Sequence, residues 1–413
     1  MRSGWWICLA LIAPGCGAAT ARPPNPPERP SSASASATPF STRSVIVATD
    51  DDPGGSAKEV FERAAKLLDA GEPARARRLF DRVVAAERAE APPNGPPSAL
   101  ARSAAYDAAL ASEMLEASLD ARDRYRALAL QLTRADGAAI ADAGQDLVDA
   151  QTRRARLDVE LEDDADLAGA AAALAALPSI EGTARAEATS YAALAKIHAG
   201  ELDAAERMLA GPRRAVEVGD DGPFPPPAHA AAVHFAAGEL LRARASAITF
   251  VPVTPDFGDR METRCQRILD AEAEYIESIK TRELRWAVRA GLRVASLYIG
   301  LHDDLLAIPP PKSADTEARK ALFRGAMRLR YRILLEKGLG TLEKTVSLEA
   351  STGVKTVWLE QTKRTKEKLE ATLAEEKGEI AKLPYTEAQL TQAFDDLAGK
   401  GKSEPGKPTK KSG

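Results

Sequence analysis

Ala70-Gly71-Glu72-Pro73-Ala74-Arg75-Ala76 is the stretch from which the architecture of this chain unfolds. Upstream, Val60, Ala64, Leu67 and Leu68 recur at helical spacing, the apolar stripe of an amphipathic helix. Downstream, Leu79, Phe80 and Val83 supply a second stripe. Between the two, Gly71 suits the left-handed turn that ends a helix. Glu72 suits the positive start of the next helix, and Ala76 is small enough for two helices to cross closely. The stretch reads as a helical hairpin.

The pattern returns in Ala199-Gly200-Glu201 with Ala205, and in Ala237-Gly238-Glu239 with Ala243. Two further segments are degenerate: Leu115–Tyr125 lacks the glycine, and Asp163–Gly169 keeps only a small residue. A glycine at the turn, an alanine five positions on and an aromatic four beyond that resemble tetratricopeptide repeats. Gly71, Ala76 and Phe80 match all three places. Gly200, Ala205 and Leu209 match less fully, as do Gly238, Ala243 and Ala247. The family's unit is about 34 residues long, whereas Gly71 and Gly200 stand 129 residues apart and Gly200 and Gly238 stand 38 apart. The bulky residues that the family carries early in its first helix are missing. The resemblance implies stacked hairpins with elongated helices or loops; the alternative is an irregular helical bundle.

Composition points the same way. The chain has 413 residues, 45% of them hydrophobic and only 5% aromatic, and alanine is abundant. Alanine has the best helix propensity. The fold class expected is all-α: a helical-hairpin solenoid over 56–250, then a long-helix C-terminal bundle over 259–398. The turn-rich run Val251–Gly258 marks the division. In the second part Trp286, Ala290, Val294, Leu297, Leu301 and Leu305 form one clean face. A proline-free run predicts one helix from Val357 to Leu383, with Lys363/Glu367 and Lys366/Glu370 pairs on its outer face. Gly338-Leu339-Gly340 lies inside a helical run and predicts a kink or a close helix contact. The Lys-, Gly- and Pro-rich segment 399–413 reads as a disordered tail.

The N-terminus carries a different message. Arg2 precedes an apolar run from Trp5 to Ala13, followed by Ala13-Pro14-Gly15-Cys16. This order resembles a bacterial lipoprotein signal peptide, with Gly15 and Cys16 on the pattern and Pro14 off it. The resemblance implies cleavage before Cys16, lipidation of Cys16 and a membrane held through that lipid. A rival cut after Ala19-Thr20-Ala21 would release a free periplasmic protein. Gly17, not Asp, follows Cys16, which resembles sorting to the periplasmic face of the outer membrane. Residues 1–16 are then signal and lipidation box, and the Pro- and Ser-rich residues 17–55 are a tether too polar to order themselves. Cys265 is the third cysteine. Read as a lone, partly buried thiol, it leaves stability to packing without an internal bridge.

The chemistry-bearing residues do not assemble into a catalytic or metal signature. His229 and His234 are five apart, where a helical zinc pair needs four. His198 stands alone, and His302-Asp303-Asp304 splays its side chains around a helix. Asp163-Asp164 and Asp220-Asp221 fall in predicted turns, where acids are common. Gly401-Lys402-Ser403 imitates the end of a phosphate loop but has Asp396 where the first glycine belongs. A net charge of -4 and a pI near 5.8 argue against nucleic acid. The expectation is a non-enzymatic scaffold without cofactor or metal, binding protein partners of unknown identity beside a membrane. Such a layout is similar to accessory lipoproteins of envelope machines for secretion, pilus assembly, outer-membrane protein insertion or gliding motility. The alternative is a glycan or small-ligand binder using Tyr275, Trp286, Tyr298, Tyr331 and Trp358. A hydrolase would require a deep pocket with convergent acids.

Overall fold

A computed structural model describes residues 54–92, 95–134, 137–178, 180–218, 227–352 and 357–397. The proposed signal, Cys16, most of the tether and the C-terminal tail lie outside the described residues. Within them the protein is all-α. The fourteen helices are α1 (Ala57–Asp69), α2 (Pro73–Glu90), α3 (Ala99–Met114), α4 (Ser118–Leu132), α5 (Gly144–Leu161), α6 (Asp164–Ala176), α7 (Gly182–His198), α8 (Leu202–Val218), α9 (Pro227–Ser246), α10 (Phe257–Lys280), α11 (Leu284–Leu306), α12 (Glu317–Thr352), α13 (Val357–Ala381) and α14 (Glu387–Leu397). The single extended pairing among the described residues is an isolated bridge between Thr133 and Ala139.

Local chemistry fixes the helix starts. The Ser56 hydroxyl accepts from the Glu59 N–H, and the Glu59 carboxylate accepts from the Ser56 N–H at 2.8 Å, a reciprocal cap on α1. Pro73 opens α2, where its missing N–H costs nothing. Ser98 caps α3 and Asp163 caps α6.

Four turns share one geometry. At Gly71 the backbone goes left-handed (φ 75°) and the Glu72 N–H donates to the Leu67 carbonyl at 2.8 Å. The same six-residue closure occurs at Glu116 (φ 60°), Glu162 (φ 56°) and Gly200 (φ 79°), with Ala117, Asp163 and Glu201 donating to Ser112, Asp158 and Lys196. These turns join α1 to α2, α3 to α4, α5 to α6 and α7 to α8. Five residues beyond each turn stands a fully or almost fully buried small or apolar side chain: Ala76, Ala121, Leu167 and Ala205. Four residues further come Phe80, Tyr125, Ala171 and Leu209, also buried. The two degenerate segments are therefore in register with the clear ones; glutamate occupies the glycine's place.

Gly238 and Ala243 do not belong to this series. Gly238 lies in the middle of α9, without a turn, and Ala243 is only half-buried there. Gly238 serves a close approach instead: a Cβ at this position would sit 2.7 Å from the Tyr275 ring. The local string Ala-Gly-Glu is shared with true turns, but an unbroken apolar surface on both sides keeps the helix running.

Packing is sequential. Each helix up to α12 packs on the one that follows it, α14 packs back on α12, and substantial backbone packing extends no further than the next helix but one. The next-but-one pairs are α1–α3, α5–α7, α7–α9, α9–α11 and α11–α13, then α12–α14 at the end. Up to that last pair all are odd-numbered. Up to α13 the odd-numbered helices are thus the ones that approach across an intervening helix, and they make up one face of the stack, here its inner face. One apolar cluster runs from Ala109 through Tyr191 and Phe235 to Phe394, straight across the connection between α9 and α10. A smaller one serves α1–α3 through Phe80, and another joins α11, α12 and α13 around Leu292 and Trp358.

The long helices of the second part appear at their expected places. The face from Trp286 to Leu305 is buried throughout. Lys366 pairs with Glu370, while Lys363 reaches Glu360. α12 runs unbroken through Gly338, where an added Cβ would meet the Leu369 side chain and the Ala295 carbonyl of α11 at ordinary contact distance, so neither a kink nor an unusually close approach marks the position. Cys265, buried on α10, corrects its expectation: it is disulfide-bonded rather than a lone thiol.

Candidate functional site

The inner face carries a belt of buried ion pairs. Glu113 on α3 meets Arg153 of α5 at 3.2 Å and Arg285 of α11 at 3.4 Å. Glu160 at the end of α5 accepts from Arg285 at 3.0 Å and from the Ser118 hydroxyl at 3.1 Å. Glu187 on α7 is held in a fork by Arg156 at 2.8 and 3.1 Å, with His229 at 3.2 Å and the Tyr191 hydroxyl as further partners. Glu239 on α9 receives Arg242 at 2.7 Å, Arg293 at 3.0 Å and the Tyr275 hydroxyl at 2.5 Å. Arg293 also reaches Glu162 at 3.4 Å. Arg285 and Arg293 thus tie α11 back to helices more than a hundred residues earlier.

Burial and charge compete at these groups. Burial alone would push the Glu239 carboxyl up; Arg293 and Arg242 beside it, with hydrogen bonds from Arg242 and Tyr275, outweigh that and hold it at about 2. Tyr191 and Tyr275 are pushed well above the ordinary phenol range by burial and by the carboxylates they bond.

Arg289 breaks the pattern. It lies between Arg285 and Arg293 on the same face of α11 and is 2% exposed. Its guanidinium sits over the Phe235 ring at 4.6 Å and over Trp358 at 4.5 Å. Its Nε and Nη1 are buried without a hydrogen-bond partner. Burial, reinforced by Arg293, lowers its pKa to about 10, so it stays charged at neutral pH. Beside it lies a cavity of about 40 Å³, lined by Arg156, Glu160, Glu283 and Arg285 and by the rings of Trp286 and Trp358, among others.

The residues expected to matter are placed as follows. Gly71, Ala76, Phe80, Gly200 and Ala205 build turns and hairpin seams, away from this cavity. The five aromatics proposed for a sugar do not converge. Trp286 and Trp358 flank the cavity, Tyr275 is committed to Glu239, Tyr298 donates to Glu272 at 2.7 Å, and Tyr331 packs edge-on against Phe394. Each histidine meets a different carboxylate: His198 meets Asp164, His229 meets Glu187, His234 meets Glu274 and His302 meets Asp303. Among the described residues, no three His, Cys, Asp or Glu converge as a metal cage, and no helix is long and apolar enough to cross a membrane.

The belt was not anticipated from sequence. Its signal is Arg285, Arg289 and Arg293, four apart in a helix, beside the apolar face from Trp286 to Leu305. Their glutamate partners come from helices far away in the chain, where spacing carries no information.

No protein-family model matches this chain, and no curated protein matches it. Among solved structures it is similar to a tetratricopeptide repeat protein from Parabacteroides merdae, at 14% identity and a TM-score of 0.37, over 75% of this chain and 99% of that one. The hairpin architecture rests on the turns and packing described above rather than on that likeness.

Proposed function

We propose that this protein is a non-catalytic scaffold of the bacterial envelope, holding protein partners on the inner face of its odd-numbered helices. The observation that carries the reading is the sequentially packed stack of helices, which offers a long surface of the kind that helical arrays use for binding. The Cys16 box and the Pro-rich segment after it support a lipid anchor on the periplasmic face of the outer membrane, with the stack held off the bilayer. Accessory service to a machine for secretion, pilus assembly, outer-membrane protein insertion or gliding motility fits that layout.

The test is placement of a photo-cross-linker in the full chain. With the probe at Arg285 on the inner face, a stoichiometric partner is expected in solubilised envelope; with the probe at Arg78, exposed on α2, it is not. Equal capture at both positions, or none at either, removes the scaffold reading. The anchor is tested separately: the Cys16→Ser variant should leave the membrane fraction, and its retention there refutes lipidation.

A further inference from the structure

Arg289 lacks what every other arginine of the belt has. Arg156 is matched by Glu187, Arg285 by Glu160 and Glu113, and Arg293 by Glu239 and Glu162. No carboxylate of the described residues comes within ion-pair range of Arg289, and two of its buried nitrogens have no acceptor. An unpaired buried charge is among the most unfavourable things a core can hold. Phe235 and Trp358 offset part of that cost through cation–π contact. Stacking uses the faces of a guanidinium; its hydrogen bonds leave from the edge. The edge is what remains unsatisfied, and Arg289 lines a small, half-open cavity.

We propose that this cavity binds the carboxylate of a small organic acid, gripped edge-on by Arg289, with the acid's apolar body against Trp286, Trp358 and Val159 at the mouth. The size fits: about 40 Å³ takes a carboxylate group or a water or two, and not a sugar ring. The charge fits as well. Among the lining residues three arginines (Arg156, Arg285 and Arg289) face two glutamates (Glu160 and Glu283), a surplus of one positive charge. Glu160 and Glu283 also face the cavity, and they would repel a dianion such as phosphate. A monoanion matches the balance. The carboxylate comes either from a free acid or from the end of a polypeptide; the recognising chemistry is the same. This site goes beyond the scaffold reading and stands whether or not a protein partner is found.

The experiment is calorimetric titration of the full-length chain at constant ionic strength with cyclohexanecarboxylate, its neutral carboxamide, and inorganic phosphate. Saturable binding of the carboxylate is expected, with the carboxamide and phosphate at least tenfold weaker. Arg289→Gln should weaken the carboxylate at least tenfold, and Arg289→Lys, which keeps the charge but not the planar edge, should weaken it several-fold. Equal binding of the carboxamide, tighter binding of phosphate, undiminished binding by Arg289→Gln, or no saturable binding overturns the proposal. Should Arg289→Gln fail to fold, the carboxylate–carboxamide comparison on the unaltered chain decides by itself. A further arm separates the sources. An acetylated dipeptide ending in a free Phe carboxylate that binds tenfold more tightly than cyclohexanecarboxylate supports the site with a chain end as its occupant. Weaker binding of the dipeptide supports the site with a free acid as its occupant.

Discussion

The eight helices from α1 to α8 and the six from α9 to α14 solve the same packing problem in opposite ways. The first set keeps its helices close with small side chains: Ala76, Ala104, Ala108, Ala121 and Ala205 are all fully buried. It bends the chain back with four similar turns. The second set uses large side chains and cuts notches for them. Tyr275 lies against Gly238, and Thr345 against Gly291. Its helices are longer, with α12 spanning 36 residues. The comparison teaches that a repeat can be shared in its turns while the interior behind it changes material. Alanine seams make a uniform stack; rings and glycines make an individual one, able to house a special group such as Arg289.

The contrast can be pressed experimentally. Removing Glu239 should cost most, because Arg242, Arg293 and Tyr275 lose their common acceptor: Glu239→Ala is expected to lose about 3–5 kcal/mol in urea unfolding. The same carboxylate makes a pH statement. Its folded pKa lies near 2 against an ordinary 4.5, so its contribution is complete above about 4.5 and disappears as pH falls toward 2. The wild-type chain should lose stability over that window more steeply than Glu239→Gln. A comparable but local loss is expected from Phe80→Ala, about 3–4 kcal/mol. Phe80 belongs to the separate cluster of α1–α3, so hydrogen exchange should quicken in those helices and leave α9–α14 protected. Protection lost equally throughout would show one cooperative unit and erase the contrast.

Smaller effects test the finer differences. Gly238→Ala should destabilise by about 1–3 kcal/mol through overpacking against the buried Tyr275 ring. Gly340→Ala, where nothing stands nearby, should be neutral or slightly favourable. Asp158 on α5 is fully buried with both oxygens unbonded, and burial, with Arg154 opposing, raises its pKa to about 7. A raised carboxyl binds its proton more tightly in the folded state, so stability should fall as pH rises from about 4 to about 7. Asp158→Asn is expected to flatten that slope and to gain on the order of 1.4 kcal/mol at pH 8, read by thermal melts across pH. Smallest is the turn itself. Glu116→Gly should gain up to about 1 kcal/mol by relieving a left-handed glutamate, and Gly71→Ala should lose about as much.

How much of this was legible in the sequence depended on distance along the chain. The hairpin at Gly71, the face from Trp286 to Leu305 and the long helix from Val357 follow from local periodicity, and each is present. The turns at Glu116 and Glu162 were hidden because the backbone needs a left-handed residue there, not a glycine, and glutamate gives no such warning. Gly238 misled for the converse reason: a glycine can serve a neighbouring ring instead of a turn. The belt and the cavity were illegible, since Arg285 and Glu160 meet across 125 residues of chain, and such a meeting depends on every seam between them at once.

The clasps formed by Arg285 and Arg293 also bear on how the molecule would answer a pull. A strip whose backbone packing reaches only near neighbours can flex along its length only by working the core shared from Ala109 to Phe394. The ties from α11 back to α3 and α5 are ionic, and because the Glu113 and Glu160 carboxylates are buried, salt in the medium screens them little. Two arginines should therefore resist such a pull, and do so with little dependence on the saltiness of the medium.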